Sequence, residues 1–370
     1  MKKLVSLLLA VALAAGCLVG CGGETSTYEI ALITDKGNID DKSFNQGAWE
    51  GVEAYAKKNN ITHHYYKPEE ASDEGYFNTI KLAVEGGAKV VVCPGYLFEV
   101  AVYNAQTEFP DVKFILLDGA PHTPEYEYNT ASNTACVMYA EEEAGYLAGY
   151  AAVVEGYTTL GFEGGMAVPA VAAFGYGYLQ GIEAAANDLG LEDGSVKVFY
   201  HYTGDFAETD ANKAVAKGMI ESGAKVIFGC GGSVGKSVFA AAAEGQIKTI
   251  GVDVDQKADS ETVITSAMKG LGASVQAVLD AIYKGEATKY CGTTTYFTAA
   301  NNGVGLPDDF SRFTTFDKAK YDEVYASLAN GTVDPIREIK VDNAEGDAAK
   351  VTGEELQTKL NLKKVVVEVR

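Results

Sequence analysis

Residues 222–232 read SGAKVIFGCGG, and residues 86–95 read GGAKVVVCPG. Each is a Gly-Ala-Lys step followed by a short apolar run that ends at glycine, the pattern of a strand buried on both faces of a parallel sheet. The pair is not isolated. VKFILLDG at 112–119 returns as IKTIGVDVD at 247–255; Lys89 and Lys113 stand 24 residues apart, Lys225 and Lys248 23. Upstream in each half lies an opening strand, EIALITD (29–35) or TTLGFEG (158–164). A Gly- and Ala-rich helical stretch follows, FNQGAWEGVEAYAKKN (44–59) or AFGYGYLQGIEAAANDLG (173–190), and then a second strand, HHYYK (63–67) or VKVFYHY (196–202). Strands alternating with helices at this rhythm predict a duplicated α/β chain, two parallel sheets with crossover helices on both faces. At 370 residues the chain is longer than one core commonly serves, which agrees with two units.

The glycine-rich loop after the second copy comes close to two catalytic signatures and completes neither. A phosphate-binding loop needs G-x-x-x-x-G-K-[ST]; Gly235, Lys236 and Ser237 supply its end, but Cys230 stands where the first glycine belongs. Gly231, Gly232, Ser233, Val234 and Gly235 satisfy the nucleophile elbow G-x-S-x-G, whose histidine must follow the serine in the chain. The four histidines, His63, His64, His122 and His201, all precede it. The loop is therefore expected to bring backbone close to a ligand rather than to attack one.

The first 21 residues, MKKLVSLLLAVALAAGCLVGC, combine a basic start, a short apolar segment and small residues before Cys21. They read as an export signal over 1–20, and LVGC at 18–21 as a lipobox that makes Cys21 the lipid-bearing first residue of the mature chain, with a tether over 21–27. Removing residues 1–20 takes away two lysines and leaves 28 basic side chains against 51 acidic ones, a formal charge of −23. Such a surface repels nucleic acid and anionic headgroups, so attachment to the membrane falls to the lipid. Outside the cytoplasm there is no ATP for a phosphate-binding loop. Cys93, Cys136, Cys230 and Cys291 form no C-x-x-C pair and are expected as buried free thiols. With the histidines dispersed, neither a metal nor a cofactor is expected.

Ligands of doubly wound sheets bind beyond the carboxyl ends of the strands. The residues there are Asp35, Cys93 to Tyr96, Asp118 and Gly119 in the first half, and Gly164, Asp205, Phe206, Gly229 to Gly235, Asp253 and Asp255 in the second. Carboxylates and glycines abound and cations are few. The implied ligand is neutral or cationic and carries several O–H or N–H donors, since a phosphate facing these acids would be repelled.

ITDKGNIDDKSFNQGAWEG (33–51), YLAGYAA (146–152), GGMAVPAVAAFGYGYLQG (164–181), CGGSVG (230–235), GVDVDQ (251–256) and VITSAMKG (263–270) resemble the basic membrane protein family, the nucleoside-binding lipoproteins of ABC importers. The resemblance implies an α/β type I periplasmic-binding fold, with two doubly wound parallel-sheet lobes joined by a hinge. The lobes would be 28–135 with 260–291, and 136–259 with 292–345; the segment 346–370 is assigned to neither. The chain would cross between lobes near Thr134 to Val137, near Asp259 to Val263 and near Cys291.

Carried over by motif, Asp35 would bond the base and Phe44 stack on it with Asn45 nearby. Asp118 would take ribose hydroxyls, as would Asp253 or Asp255 from the other lobe. Gly231 and Gly232 would border the sugar, Lys269 would donate to a ribose oxygen or hold one of the aspartates, and Phe206 would form the second aromatic wall. Phe44 also suits helix packing, Asp35 and Asp118 suit turns, and Lys269 suits a solvated helix start. Tyr96 stands where a polar side chain is expected beside the base, and Trp49 suits helix packing. The implied function is capture of a nucleoside, a purine one by preference, by a monomeric lipid-anchored receptor that hands it to an ABC permease. Riboflavin or a simple sugar is the alternative ligand. A nucleoside-cleaving enzyme is the alternative of another class, with Asp40 and Asp41 or the DVD of 253–255 as its only metal-binding candidates.

Overall fold

The computed structural model describes residues 27–343 and 346–370; the export signal, Cys21 and most of the tether lie outside them. Strands β1 (Ile30–Ile33), β2 (His63–Tyr66), β3 (Val90–Pro94), β4 (Lys113–Leu117) and β5 (Thr134–Tyr139) alternate with helices α1 (Phe44–Asn59), α2 (Asp73–Glu85) and α3 (Glu99–Glu108). After α4 (Glu141–Val154), strands β6 (Thr159–Gly164), β7 (Val196–Tyr202), β8 (Val226–Cys230), β9 (Lys248–Asp253) and β10 (Val263–Lys269) alternate with α5 (Pro169–Asp188), α6 (Asp210–Glu221) and α7 (Val234–Gly245). Helix α8 (Leu271–Tyr283), strands β11 (Thr293–Phe297) and β12 (Val304–Gly305), helices α9 (Lys318–Ala329) and α10 (Gly353–Lys359) and strand β13 (Val365–Val369) complete the chain.

The first sheet runs β11-β5-β4-β3-β1-β2 and the second β12-β10-β9-β8-β6-β7-β13. All pairings are parallel except β10 with β12. Both sheets reverse direction of growth at their first strand, between β1 and β3 and between β6 and β8, and such a reversal opens a crevice at the carboxyl ends. The two lysine-flanked apolar runs became β3 and β8, fully buried as their composition requires.

The sheets divide the chain differently from the expected lobes. Segment 260–291 was assigned with the first half, yet it contains β10, which pairs with β9 in the second sheet. Segments 136–259 and 292–345 were assigned with the second half, yet Cys136 to Tyr139 belong to β5 and Thr293 to Phe297 form β11, both in the first sheet. The physical reason is that the repeat is five strands long: β5 extends β4 as β10 extends β9, and the chain changes sheet after each fifth strand and again between β11 and β12, while helix α8 of segment 260–291 does pack on α1 in the first half. The C-terminal β13 pairs with β7 and covers that edge of the second sheet.

Helices α4 and α5 cross at backbone contact. A Cβ added at Gly177 or Gly181 would lie 2.0 Å from the carbonyl oxygen of Glu142 or Tyr146, and one at Gly145 or Gly149 2.2 Å from that of Phe174 or Tyr178. Helix α4 follows the last strand of the first repeat but packs on β10 as well as on α5, so the chain enters the second half at this crossing. Cys93, Cys136, Cys230 and Cys291 are buried free thiols. Among the described residues no helix is long and apolar enough to cross a membrane.

Candidate functional site

A cavity lies between the carboxyl ends of the two sheets. Nine of the ten expected ligand residues line it: Asp35, Phe44, Asn45 and Asp118 from the first repeat, and Phe206, Gly231, Gly232, Asp253 and Lys269 from the second. Asp255 does not. It is exposed, and its carboxylate accepts from the Lys257 backbone N–H at 3.0 Å. Of the alternatives Asp253 and Asp255, only the residue that ends β9 reaches the cavity.

The internal repeat reappears in the site. Gly95 and Gly231 follow β3 and β8 with φ of 115° and 139°, a region L side chains rarely enter. A Cβ at Gly95 would lie 3.7 Å from Cε1 of Phe44, and one at Gly231 3.2 Å from Cδ1 of Phe206. Gly231 thus leaves room for the Phe206 ring, while Gly95 borders that of Phe44 at ordinary contact distance. Asp118 and Asp253 follow β4 and end β9, with φ of 54° and 66°.

Lys269 ends β10, and its side chain is almost fully buried. Its Nζ lies 2.5 Å from Asp118 Oδ2, 3.0 Å from Glu141 Oε1 and 4.0 Å from Asp253 Oδ1. Burial alone would lower the Lys269 pKa, but Asp118, Glu141 and Asp253 together raise it above its ordinary value. The three carboxylates favour its ammonium form. Burial raises Asp118 to about 7 against the pull of Lys269, with Glu141 and Asp253 adding to the rise. The Asp253 carboxyl is raised chiefly by burial as well. Asp118 Oδ1 is buried without a hydrogen-bond partner, a costly state for a carboxylate oxygen unless a ligand supplies a donor.

At the other end of the cavity Asp35 Oδ1 accepts from the Gly37 N–H at 2.7 Å and from Asn45 Nδ2 at 2.8 Å. Desolvation raises Asp35 to about 6 despite these bonds. Asp41 holds the arrangement. Its carboxylate accepts from the backbone N–H groups of Ser43, Asn45 and Gln46 and from Asn45 Nδ2, closing the start of α1. Sequence reasoning considered Asp41 only as a metal ligand. With both oxygens occupied by amides, it is a cap.

Phe174 and Val171, on the first turns of α5, also line the cavity, and Tyr96 stands at its wall, partly exposed. Trp49 packs on His63 and Tyr65, away from the cavity. Ser233 starts α7 and Ser237 is buried, exchanging hydrogen bonds with the backbone of Thr209. Lys236 donates to the Asp40 carbonyl at 3.1 Å. The near-signature thus holds chain, not phosphate. Glu141 and Arg337 went unseen in the sequence; the only trace was the EEE run at 141–143 opening a helix.

A family model described as ABC transporter substrate-binding protein PnrA-like matches residues 29–342. The chain belongs to this Bmp family. A relative from Lactococcus lactis subsp. cremoris, named ABC transporter nucleoside-binding protein BmpA, is 30% identical over 339 residues, covering 83% of this chain and 92% of its own. A CD4+ T-cell-stimulating antigen of Listeria monocytogenes is 26% identical, covering 90% and 98%. An uncharacterized lipoprotein of Pyrococcus abyssi is 28% identical, covering 75% and 71%. An ABC transporter solute-binding protein from Aeropyrum pernix superposes with a TM-score of 0.73 at 19% identity, covering 90% of this chain and all of its own. One from Conexibacter woesei gives 0.65 at 23%, covering 84% and 99%. The fold is the type I periplasmic-binding fold, and this Bmp family member is an ABC transporter substrate-binding protein.

Proposed function

We propose that the chain is a lipid-anchored receptor, tethered through Cys21 on the extracytoplasmic face of the membrane, which captures a purine nucleoside between its sheets and delivers it to an ABC permease. The observation that carries the ligand assignment is the pairing of Asp118 and Lys269 at the cavity wall. Asp118 Oδ1 has no partner. Lys269 donates to Asp118 Oδ2, and the Glu141 carboxylate faces it as an ion-pair partner. A carboxylate acceptor beside an ammonium donor suits a vicinal diol, in which one hydroxyl donates to Asp118 and its neighbour accepts from Lys269 and donates to Asp253. Each charge-assisted bond of this kind contributes about 1.5–3 kcal/mol.

The base then lies between Phe44 and Phe206, worth about 0.5–1.5 kcal/mol per face beyond burial, with Asp35 and Asn45 at its edge. A nucleotide is disfavoured, because its phosphate would meet Asp35, Asp118 and Asp253 with the one lysine of the cavity wall already paired. Capture requires only that the ligand bind the closed arrangement better than the open one. No bond is broken. The relative from Lactococcus, named for nucleoside binding, supports the same ligand class. Mass spectrometry of the small molecule that co-purifies with the protein tests the assignment: a purine ribonucleoside is expected, and riboflavin or a sugar in its place would overturn it.

A further inference from the structure

We propose that Glu141, although it does not line the cavity, is a positioning residue for ligand capture: its buried charge holds the Lys269 ammonium in place beside the ligand, and Arg337 holds Glu141. The inference rests on the reading of Asp118 and Lys269 as the pair that grips a vicinal diol.

Glu141 is the first residue of α4, just beyond β5 of the first sheet, while Lys269 ends β10 of the second. Their side chains are 1% and 2% exposed, so neither is solvated by water. Each Glu141 oxygen has its own cation. Oε1 lies 3.0 Å from Lys269 Nζ, and Oε2 lies 2.6 Å from Nη1 of Arg337. Arg337 arrives from the segment after α9, and the same nitrogen donates to the Tyr139 carbonyl at 2.5 Å and to Glu142 Oε2 at 2.7 Å. The guanidinium therefore ties Glu141 to the end of β5 itself.

A lysine ammonium sits on four flexible carbons and rotates freely about its last bond. Three carboxylates surround this one. If Asp118 and Asp253 were its only partners, the ammonium would be drawn into the space between them, where the hydroxyls of the ligand must fit. Glu141 draws the ammonium from the other side at 3.0 Å by charge, so that it stays hydrogen-bonded to Asp118 with N–H groups left for the ligand. Burial opposes ionisation of Glu141, but Lys269 and Arg337 together hold its carboxyl below the usual range, so the anchor stays charged.

The test compares inosine with 2′,3′-dideoxyinosine, which lacks the diol, by calorimetric titration of the wild type, Glu141→Gln and Arg337→Gln, with melting curves alongside. The wild type is expected to prefer inosine. Glu141→Gln keeps the shape but not the charge, and it should lower that preference about tenfold while leaving dideoxyinosine affinity unchanged. Arg337→Gln should lower it in the same sense by a smaller factor, and it serves if Glu141→Gln does not fold. A merely structural role would lower the melting temperature and weaken both ligands equally. An unchanged inosine preference in the folded variants would overturn the inference while leaving the diol reading intact. A wild type with no preference for inosine would overturn the diol reading and this inference with it.

Discussion

Asp118 and Asp253 stand five residues after equivalent lysines of the two repeats, both in the left-handed backbone region, and both face the ammonium of Lys269. A duplicated strand end has thus become a two-jawed acidic grip, one jaw on each sheet. Asp and Asn are the non-glycine residues that enter this backbone region most readily.

The backbone and the charge can therefore be separated by mutation. Asp118→Asn should keep the fold, since asparagine tolerates the conformation, but weaken a ribonucleoside by roughly tenfold to a hundredfold through loss of a charged acceptor worth about 1.5–3 kcal/mol. Asp118→Ala should lose the same affinity and also melt lower than Asp118→Asn. Titration and thermal melting of the two variants check both halves; full affinity in Asp118→Asn would remove Asp118 from the site.

Stability should fall as pH rises from 5 to 8. Desolvation raises the carboxyls of Asp35 to about 6, Asp118 to about 7 and Glu163 to about 8. Glu163 is fully buried, and neither of its oxygens has a partner. Between the ordinary carboxyl range and these values the folded chain binds more protons than the unfolded chain, so the contribution is present at low pH and lost as pH climbs through the folded values. Ligand-free melting temperatures at pH 5 and pH 8 measure it. Nucleoside affinity should move the other way, because the hydroxyl donates best to an ionised Asp118, and Asp118→Asn should flatten that rise.

Gly177→Ala should destabilise the protein by about 1–3 kcal/mol or more, because helices α4 and α5 meet there at backbone distance and the new methyl cannot be accommodated by a rotamer change. Gly218→Ala is the control. It lies in α6 with only the tip of Arg370 within 4 Å of a new Cβ, and helix propensity predicts a gain of up to about 1 kcal/mol. Equal melting temperatures for the two variants would contradict the close crossing.

The loop that carries Asp35 to Phe44 is pinned to the second repeat by three hydrogen bonds. Ser43 Oγ donates to Asp253 Oδ2 at 2.5 Å, Gln256 Nε2 to the Lys42 carbonyl at 2.7 Å, and Lys236 Nζ to the Asp40 carbonyl at 3.1 Å. We expect these bonds to slow ligand release. Gln256→Glu keeps the acceptor used by the Val252 N–H but loses the donor to Lys42. It and Lys236→Met should each raise the dissociation rate about three- to tenfold, with little change in association, in a stopped-flow displacement experiment. Unchanged release rates in both variants would show that the loop is not a latch.

Much of this was legible in the chain because duplication writes a pattern twice. The lysine-flanked apolar runs located β3, β4, β8 and β9, and their ends located Asp118, Asp253 and the two cavity glycines. The fifth strand of each repeat was misplaced because TACVMY and VITSAMK carry no shared flanking lysine, so nothing local says which sheet edge they extend. Asp253 and Asp255 stayed unresolved because a strand end can be read one pleat early or late; the left-handed turn at Asp253 decides it. Phe206 was placed by its position after a strand, and its role as an aromatic wall came from family resemblance. Arg337 could not be found at all, since its partners Glu141 and Tyr139 lie almost 200 residues upstream and a lone arginine in a loop has no periodicity to betray it.

The most direct test of the central claim, that paired acids and paired rings close on one nucleoside, is calorimetric titration of ligand-free protein with guanosine, inosine, ribose and riboflavin in parallel. A purine ribonucleoside is expected to bind at one site per chain with micromolar or tighter affinity, about 8 kcal/mol or more, while ribose alone binds far more weakly. Saturable binding of riboflavin or ribose with no response to either nucleoside would contradict it.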